Sequence, residues 1–235
     1  MEARVIKNFG VIGTILFIIG FIFYFYLDTI IEFEMMDEPS FIYYGVYVFY
    51  LILSIIIFTI GLILIGKSIK SIGEKMNNNH ISSDYIMFVV MFILATSLHL
   101  IVPYFPINDL SSEGFYFVMI MMNIIMWVFL FISASSLNGC FELLSIGSKI
   151  SIFRNAGFLW VLGSGLYAIL GIIQLMLSLF AFGFIYLQIF ALLIFTIAII
   201  MQLYGFISLP KDFEIYTKNY TKTRQYVNII SKNDE

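Results

Sequence analysis

The chain has 235 residues, of which 61% are hydrophobic and only 11% are charged, with a formal net charge of −3. Soluble globular domains carry roughly 25% charged residues, so in water this chain could not bury its apolar side chains. The composition therefore excludes a soluble domain. The lack of a basic stripe or basic arm argues against nucleic-acid binding.

Uncharged segments predict the membrane-spanning helices in chain order. A helix that crosses about 30 Å of hydrocarbon needs about 20 apolar residues, and five uncharged segments are long enough. The first begins near the N-terminus, and it is too long for a secretory signal. The last segment, 155–210, would be about 84 Å long as one helix, so it must fold back on itself. The best turn lies around Ala181, Phe182 and Gly183. The six predicted spans are 9–27, 41–66, 85–104, 115–137, 157–179 and 184–209.

The basic residues predict the orientation of these spans. All twelve Lys and Arg residues lie in the N-terminus, in the segments after spans two and four, or in the C-terminal tail. With six spans, these four segments are on one side of the membrane. The positive-inside rule then places both termini in the cytoplasm. A single crossing by residues 155–210 would put the basic tail outside, which independently favours the fold-back.

The predicted fold is an all-α integral membrane protein of three antiparallel helical hairpins. Residues 1–209 form the six-helix membrane domain, and residues 210–235 form a cytoplasmic tail. Two cytoplasmic linkers, 67–84 and 138–156, join the hairpins. Within the second, Cys140–Phe153 has the alternation of an interfacial helix. Cys140 is the only cysteine, so it forms no internal disulfide, and we expect it in a cytoplasmic loop. Trp160 suits the inner interface of the membrane.

Spans one and five both begin with glycines just inside the cytoplasmic face, in Phe9-Gly-Val-Ile-Gly and Ala156-Gly-Phe-Leu-Trp-Val-Leu-Gly. This likeness fits either an ancient hairpin repeat or chance, because glycine-rich helix starts recur in membrane proteins.

Several longer stretches carry a family resemblance. They are Gly61-Leu-Ile-Leu-Ile-Gly-Lys-Ser-Ile-Lys-Ser-Ile, Phe141-Glu-Leu-Leu, Ile152-Phe-Arg-Asn-Ala-Gly-Phe-Leu-Trp-Val-Leu-Gly and Phe206-Ile-Ser-Leu-Pro. Over about residues 9–210 the chain resembles the archaeal DUF996 membrane-protein family. The resemblance implies an archaeal source and a multi-pass topology. The family has no established activity, so it implies no site residues.

The predicted spans contain no Asp, Glu, Lys or Arg. Proton pumps, voltage sensors and most ion-coupled transporters need such groups, so their absence argues against those classes. A lone His99 supplies one ligand, which is too few for a metal or haem site. We therefore predict no catalytic residue, cofactor or metal. The polar groups that could line a path in a carrier, or bond between helices, are His99, Asn123, Gln174, Gln188 and Gln202.

Five carboxylates lie within eleven residues of the first outer loop: Asp28, Glu32, Glu34, Asp37 and Glu38. Carboxylate oxygens suit hard cations, so weak capture of Ca²⁺ or Mg²⁺ is one interpretation. Docking of a basic partner is a second, and a solvated acidic loop is a third. The spacing does not match an EF-hand.

Two functions fit the sequence. The first is a non-catalytic membrane subunit or scaffold that packs against lipids, other membrane proteins or further copies of itself. The second is a channel or carrier for a small neutral or apolar solute. A carrier needs a polar cavity near the membrane midplane, whereas a scaffold needs none. We expect the protein in the cell membrane and do not expect an enzyme.

Overall fold

The computed structural model describes residues 2–34, 41–101, 112–178 and 185–210. These residues form helices and short connections, with no strand in the described ranges. The helices are α1 (Ala3–Glu34), α2 (Phe41–Lys75), α3 (Asn79–Ile101), α4 (Ser112–Ser148), α5 (Ser151–Ser178) and α6 (Ile185–Ile207). Five of them are long and apolar enough to cross a membrane, and α6 contributes a shorter apolar stretch, Ala191–Ile207. In lipid, a helix satisfies its own backbone groups, which is why apolar segments of this length form helices.

The surface of the described bundle is apolar, unlike that of a soluble protein, and its mainly apolar interior contains several polar side chains. Polar side chains are buried, among them Thr14, Ser68, Ser133 and Gln202. Large aliphatic side chains cover the outside, and Ile86, for instance, is 62% exposed. Small and polar residues are typical of contacts between membrane helices, while aliphatic residues suit lipid. This distribution supports a helical membrane protein.

Glycines bring α1 and α2 into backbone contact. A Cβ atom added to Gly61 would lie 2.7 Å from the Phe17 nitrogen and 2.8 Å from the Gly13 carbonyl oxygen. A Cβ on Gly20 would lie 2.8 Å from the Phe58 nitrogen. Because the later residues of α1 meet the earlier residues of α2, the two helices run in opposite directions. Only glycine permits this approach of two backbones.

An aromatic cluster around Trp160 fills the centre of the bundle. The Trp160 ring, on α5, is 1% exposed and is 6.1 Å from Phe17 of α1, measured between centroids. It is 5.8 Å from Phe88 of α3 and 5.1 Å from Phe195 of α6. Trp160 was expected to suit the inner interface, but its ring lies between helices and does not face lipid, and its depth in the membrane stays a prediction. The interior needs one large side chain that can reach three neighbouring helices, and Trp160 fills that space.

The predicted cytoplasmic linkers are mostly helical. Only three residues, 76–78, separate α2 from α3, and only two, 149–150, separate α4 from α5. Each turn contains a residue with positive φ, Asn77 at 51° and Lys149 at 60°. Such a residue ends a helix sharply. The helices therefore continue beyond the predicted spans.

The prediction of a cytoplasmic loop at Cys140 and of an interfacial helix over Cys140–Phe153 is wrong. Cys140 and Phe141 lie within α4 and are fully buried. The Phe141 ring is 5.6 Å from Phe153 of α5, and the Phe153 ring is 5.2 Å from Phe206 of α6. These aromatic contacts between helices bury the segment in the bundle, so it does not lie along the membrane surface.

Helices that follow one another in the chain are in contact, and α6 also contacts α1. The contacts are not uniform. Helix α1 packs extensively on α2, and α3 to α6 pack extensively in sequence, but α2 touches α3 much less. The interface between α2 and α3, called the seam below, is therefore one of the least extensive helix–helix interfaces of the bundle.

Candidate functional site

The weak seam opens as an elongated apolar depression, which we name the α2–α3 groove. It comprises two adjoining cavities of about 410 and about 230 Å³ that share Thr59, Leu62 and Ile93. Its lining residues recur at helical spacing along one face of each helix. The α2 face includes Thr59, Leu62, Ile63, Gly66, Lys67 and Lys70, and the α3 face includes Ser82, Tyr85, Ile86, Val89, Val90 and Ile93.

The floor of the groove is closed by side chains that cross the seam. The Phe58 and Phe92 rings stack with centroids 5.4 Å apart. The buried Tyr85 hydroxyl donates a hydrogen bond to the Leu62 carbonyl, with an O···O distance of 2.7 Å. Because this hydroxyl is already bonded within the protein, the middle of the groove is apolar. It suits an apolar ligand.

Basic side chains lie at one end of the groove. Lys67 and Lys70 occupy neighbouring positions on the last turns of α2, and the Lys67 ammonium is 5.9 Å from the centre of the Phe9 ring. The Ser68 hydroxyl donates to the Ile6 carbonyl, 2.8 Å away. This bond brings the start of α1 to the same level, so Arg4 and Lys7 flank it. A set of positive charges therefore lies at this end of the bundle.

Nearby carboxylates neutralise this end only in part. The Lys70 ammonium is 3.9 Å from Glu74, but the two side chains are 70% and 63% exposed. An ion pair as exposed as this is weak. The carboxylate of Asp84 lies against α4, since one of its oxygens is 3.2 Å from the Cβ position of Gly139. Ser82, two residues earlier, lines the groove, so Asp84 is on another face of α3.

Tyr85→Phe removes the hydrogen bond that crosses the seam. We expect it to lower the free energy of unfolding by about 1 kcal/mol, the net contribution of a buried neutral hydrogen bond. The loss stays small because the Leu62 carbonyl keeps its helical partner. Equilibrium unfolding by a denaturing detergent in mixed micelles measures it. Tyr204→Phe, at a residue that is 57% exposed, serves as the control. Equal losses in the two variants would contradict the assignment.

Gln202 is part of the packed interior. It is 3% exposed, and its side-chain nitrogen donates to the Thr14 hydroxyl, 3.2 Å away. The Thr14 hydroxyl in turn donates to the Gly10 carbonyl at 2.8 Å. This chain joins α6 to α1 and contributes to their contact. Asn123, on α4, is half-buried, and it also has an interaction partner within the protein.

The other predicted path residues are in helices, but their side chains lie outside the described residues. They are His99, Gln174 and Gln188, on α3, α5 and α6. The structure describes the predicted acidic segment only in part. Helix α1 continues to Glu34, so Asp28, Glu32 and Glu34 belong to a helix where a loop was expected. The side chains of these three residues, and all of Asp37 and Glu38, lie outside the described residues.

Sequence reasoning missed the α2–α3 groove. The available signal was the spacing of Lys67 and Lys70, three residues apart at the end of an apolar face of α2. Read alone, the two lysines indicated only topology. To identify the groove, one must also know that α2 lies beside α3 and that their interface is less extensive than the others. No residue pattern in the chain encodes either fact.

Within the part of the chain that the structure describes, no three His, Cys, Asp or Glu side chains come close enough to hold a metal ion. No protein-family model matches the chain, and neither a curated protein nor a solved structure is significantly similar to it.

Proposed function

We propose that the protein is a non-catalytic integral membrane subunit or scaffold. It crosses the cell membrane six times as three antiparallel hairpins, with both termini in the cytoplasm. Its lateral surfaces pack against membrane lipids and against other membrane proteins or further copies of the chain. The resemblance to the DUF996 family belongs to the same proposal, because it implies a multi-pass archaeal protein without implying a reaction.

The charge distribution supports the orientation. Arg4, Lys7, Lys67 and Lys70 share one level of the bundle, and Lys149 and Arg154 flank the turn between α4 and α5. Basic residues at one end of all these helices satisfy the positive-inside rule when that end is cytoplasmic.

The observation that carries the scaffold function is the filled interior of the part of the bundle whose side chains the structure describes. Trp160 and its aromatic neighbours occupy the centre, and the glycine contacts bring α1 and α2 together without intervening space. The two cavities of the α2–α3 groove lie between α2 and α3, and the smaller one is also lined by Phe21 of α1. This lateral groove presents mainly apolar surface to lipid or a partner. The Ser54, Thr59 and Thr96 hydroxyls that line its inner part donate to carbonyls of their own helices, so within the described residues the groove offers few free polar groups to a solute.

The alternative, a carrier for a small neutral or apolar solute, requires polar side chains facing a cavity near the midplane. Gln202 does not support it, because its amide is buried and bonded to Thr14. Asn123 is half-buried on α4 and does not line the α2–α3 groove. The scaffold is therefore the better supported of the two functions.

The two functions predict different results for the purified full chain. We expect native mass spectrometry from polymer nanodiscs to show species well above the 27.1 kDa monomer, because a scaffold retains its partner or a second copy. We expect liposomes that contain the protein to take up glycerol or urea no faster than empty liposomes. A monomer without any bound protein, together with accelerated uptake that Gln202→Leu abolishes, would favour the carrier.

A further inference from the structure

We propose that the α2–α3 groove binds one hydrocarbon chain of an anionic membrane lipid from the cytoplasmic leaflet, with the head group held by Lys67 and Lys70. This inference rests on the proposed function in one respect: the basic end of the bundle must lie at the cytoplasmic face of a membrane. It specifies which lateral surface takes a lipid and which lipid chemistry that surface selects.

The length of the groove fits a hydrocarbon chain that starts at the membrane surface. Along α2 the lining extends from Lys70 and Lys67 to Ser54. The thirteen residue steps from Lys67 to Ser54 correspond to about 20 Å at about 1.5 Å per residue. One leaflet is half of a hydrocarbon core about 30 Å thick. A chain that enters beside the lysines therefore stays between mainly apolar walls over the depth of its leaflet, because the Ser54, Thr59 and Thr96 hydroxyls donate to carbonyls of their own helices.

The walls fit a hydrocarbon chain better than they fit a protein helix. A helix with its side chains is about 10–12 Å wide. The helices that form the groove touch at its floor, where the Tyr85 hydroxyl bonds to the Leu62 carbonyl. A partner helix would rest on the rims and leave the space above Tyr85 unfilled. A flexible hydrocarbon chain can enter that space and cover Val89 and Ile93.

Charge at the open end of the groove selects an anionic head group. Lys67 and Lys70 line this end, and the Ser82 side chain lies with them. Glu74 forms only an exposed ion pair with Lys70, and Asp84 lies against α4. Arg4 and Lys7 add positive charge at the same level, and Glu2 offsets one of these two charges. Juxtamembrane basic residues attract anionic lipids, so phosphatidylglycerol is preferred over zwitterionic phosphatidylcholine with the same acyl chains.

The test uses native mass spectrometry of the full chain, delipidated in mild detergent and then titrated with phosphatidylglycerol or with phosphatidylcholine of identical acyl chains. We expect the wild type to bind the anionic lipid more tightly. The double variant Lys67→Gln/Lys70→Gln loses this preference, by about fivefold for each lysine removed. Val90→Trp fills the groove, so we expect weaker binding of both lipids.

Matched controls separate the groove from the rest of the surface. Lys149→Gln/Arg154→Gln removes two exposed basic residues from the other cytoplasmic turn. Val128→Trp enlarges a side chain on α4 that is 49% exposed, close to the 46% of Val90. We expect both controls to keep the wild-type preference and affinity.

Three outcomes would overturn the inference. One is equal binding of the two lipids by the wild type, and another is an equal loss in the control and test variants. The third is a protein dimer that Val90→Trp dissociates, since this would place a second copy of the chain in the groove. Lipid selectivity is measured on the isolated chain, so it can fail while a protein partner still co-purifies. It can also succeed where no partner is found.

Discussion

Gly61→Ala is expected to destabilise the protein by about 1–3 kcal/mol, the usual range for overpacking a close contact. The added methyl carbon would lie 2.7 Å from the Phe17 nitrogen and 2.8 Å from the Gly13 carbonyl oxygen. Both neighbours are backbone atoms, which cannot rotate away as a side chain can. The helices α1 and α2 must separate to accept the methyl group, and the contacts along their interface weaken together.

Cys140 provides the measurement for this variant. It is the only cysteine and is fully buried, so a thiol-reactive fluorogenic dye labels it when the bundle opens. We expect the labelling transition of Gly61→Ala to occur at a lower temperature than that of the wild type.

Gly165→Ala is the matched control for Gly61→Ala. Among the described atoms, none lies within 4 Å of its Cβ position outside the local helix. Alanine favours the helix by up to about 1 kcal/mol over glycine, so stability should stay constant or rise. The double variant Gly13→Ala/Gly61→Ala should lose less than the sum of its single variants, because one separation of the helices relieves both clashes. A destabilised Gly165→Ala with a stable Gly61→Ala would contradict the packing seen here.

Trp160→Ala is expected to lower stability by about 3–5 kcal/mol, since it leaves a cavity in the centre of the bundle. The ring contacts Phe17, Phe88 and Phe195, on three different helices, so no single movement of one helix can close the space. Detergent unfolding and the temperature of Cys140 labelling should both report the loss. We expect the variant to stay folded only when it is extracted in a mild detergent.

Trp160→Phe separates packing from hydrogen bonding. Within the described structure the indole nitrogen of Trp160 is buried and has no hydrogen-bond partner. Phenylalanine removes that unsatisfied group while it keeps an aromatic ring, so we expect a much smaller loss than with alanine. Phe158→Ala, two residues away and 61% exposed, controls for the loss of an aromatic ring from α5. A loss from Phe158→Ala as large as that from Trp160→Ala would show that Trp160 has no special place in the core.

The all-helical character could be read from the sequence, because uncharged apolar segments of sufficient length have no other stable form in lipid. The division of residues 155–210 into two helices also follows from length, and α5 and α6 lie on either side of the predicted turn. The turn around Ala181–Gly183 is itself outside the described residues. Six crossings and the orientation stay predictions.

The positions of the helix ends and of the core residues could not be read in the same way. Polarity marks where a segment leaves the membrane, but it does not mark where the helix ends. Hence Cys140 and Phe141 were assigned to a linker, although α4 continues past them. Trp160 was assigned to an interface because tryptophan is common there. Its actual place depends on α1, α3 and α6 meeting around it, which requires the tertiary arrangement.

The candidate site follows the same pattern. The amides and the acidic segment stood out because polar residues are rare in this chain, yet Gln202 is used for packing. The α2–α3 groove is lined by ordinary residues such as Leu62, Val89 and Ile93, whose importance comes only from the looseness of one seam. A single sequence contains no signal that one helix–helix interface is less extensive than the others.

The two tryptophans have a further consequence, for spectroscopy. Trp127 and Trp160 are the only indole chromophores of the chain, and both are buried, at 6% and 1% exposed. Emission excited selectively in tryptophan therefore originates inside the bundle. A nonpolar environment, and for Trp160 an indole N–H without a hydrogen bond among the described residues, place that emission at short wavelength. The native tryptophan fluorescence thus reports on helix packing, and quenchers dissolved in the surrounding lipid are expected to reach these two rings poorly.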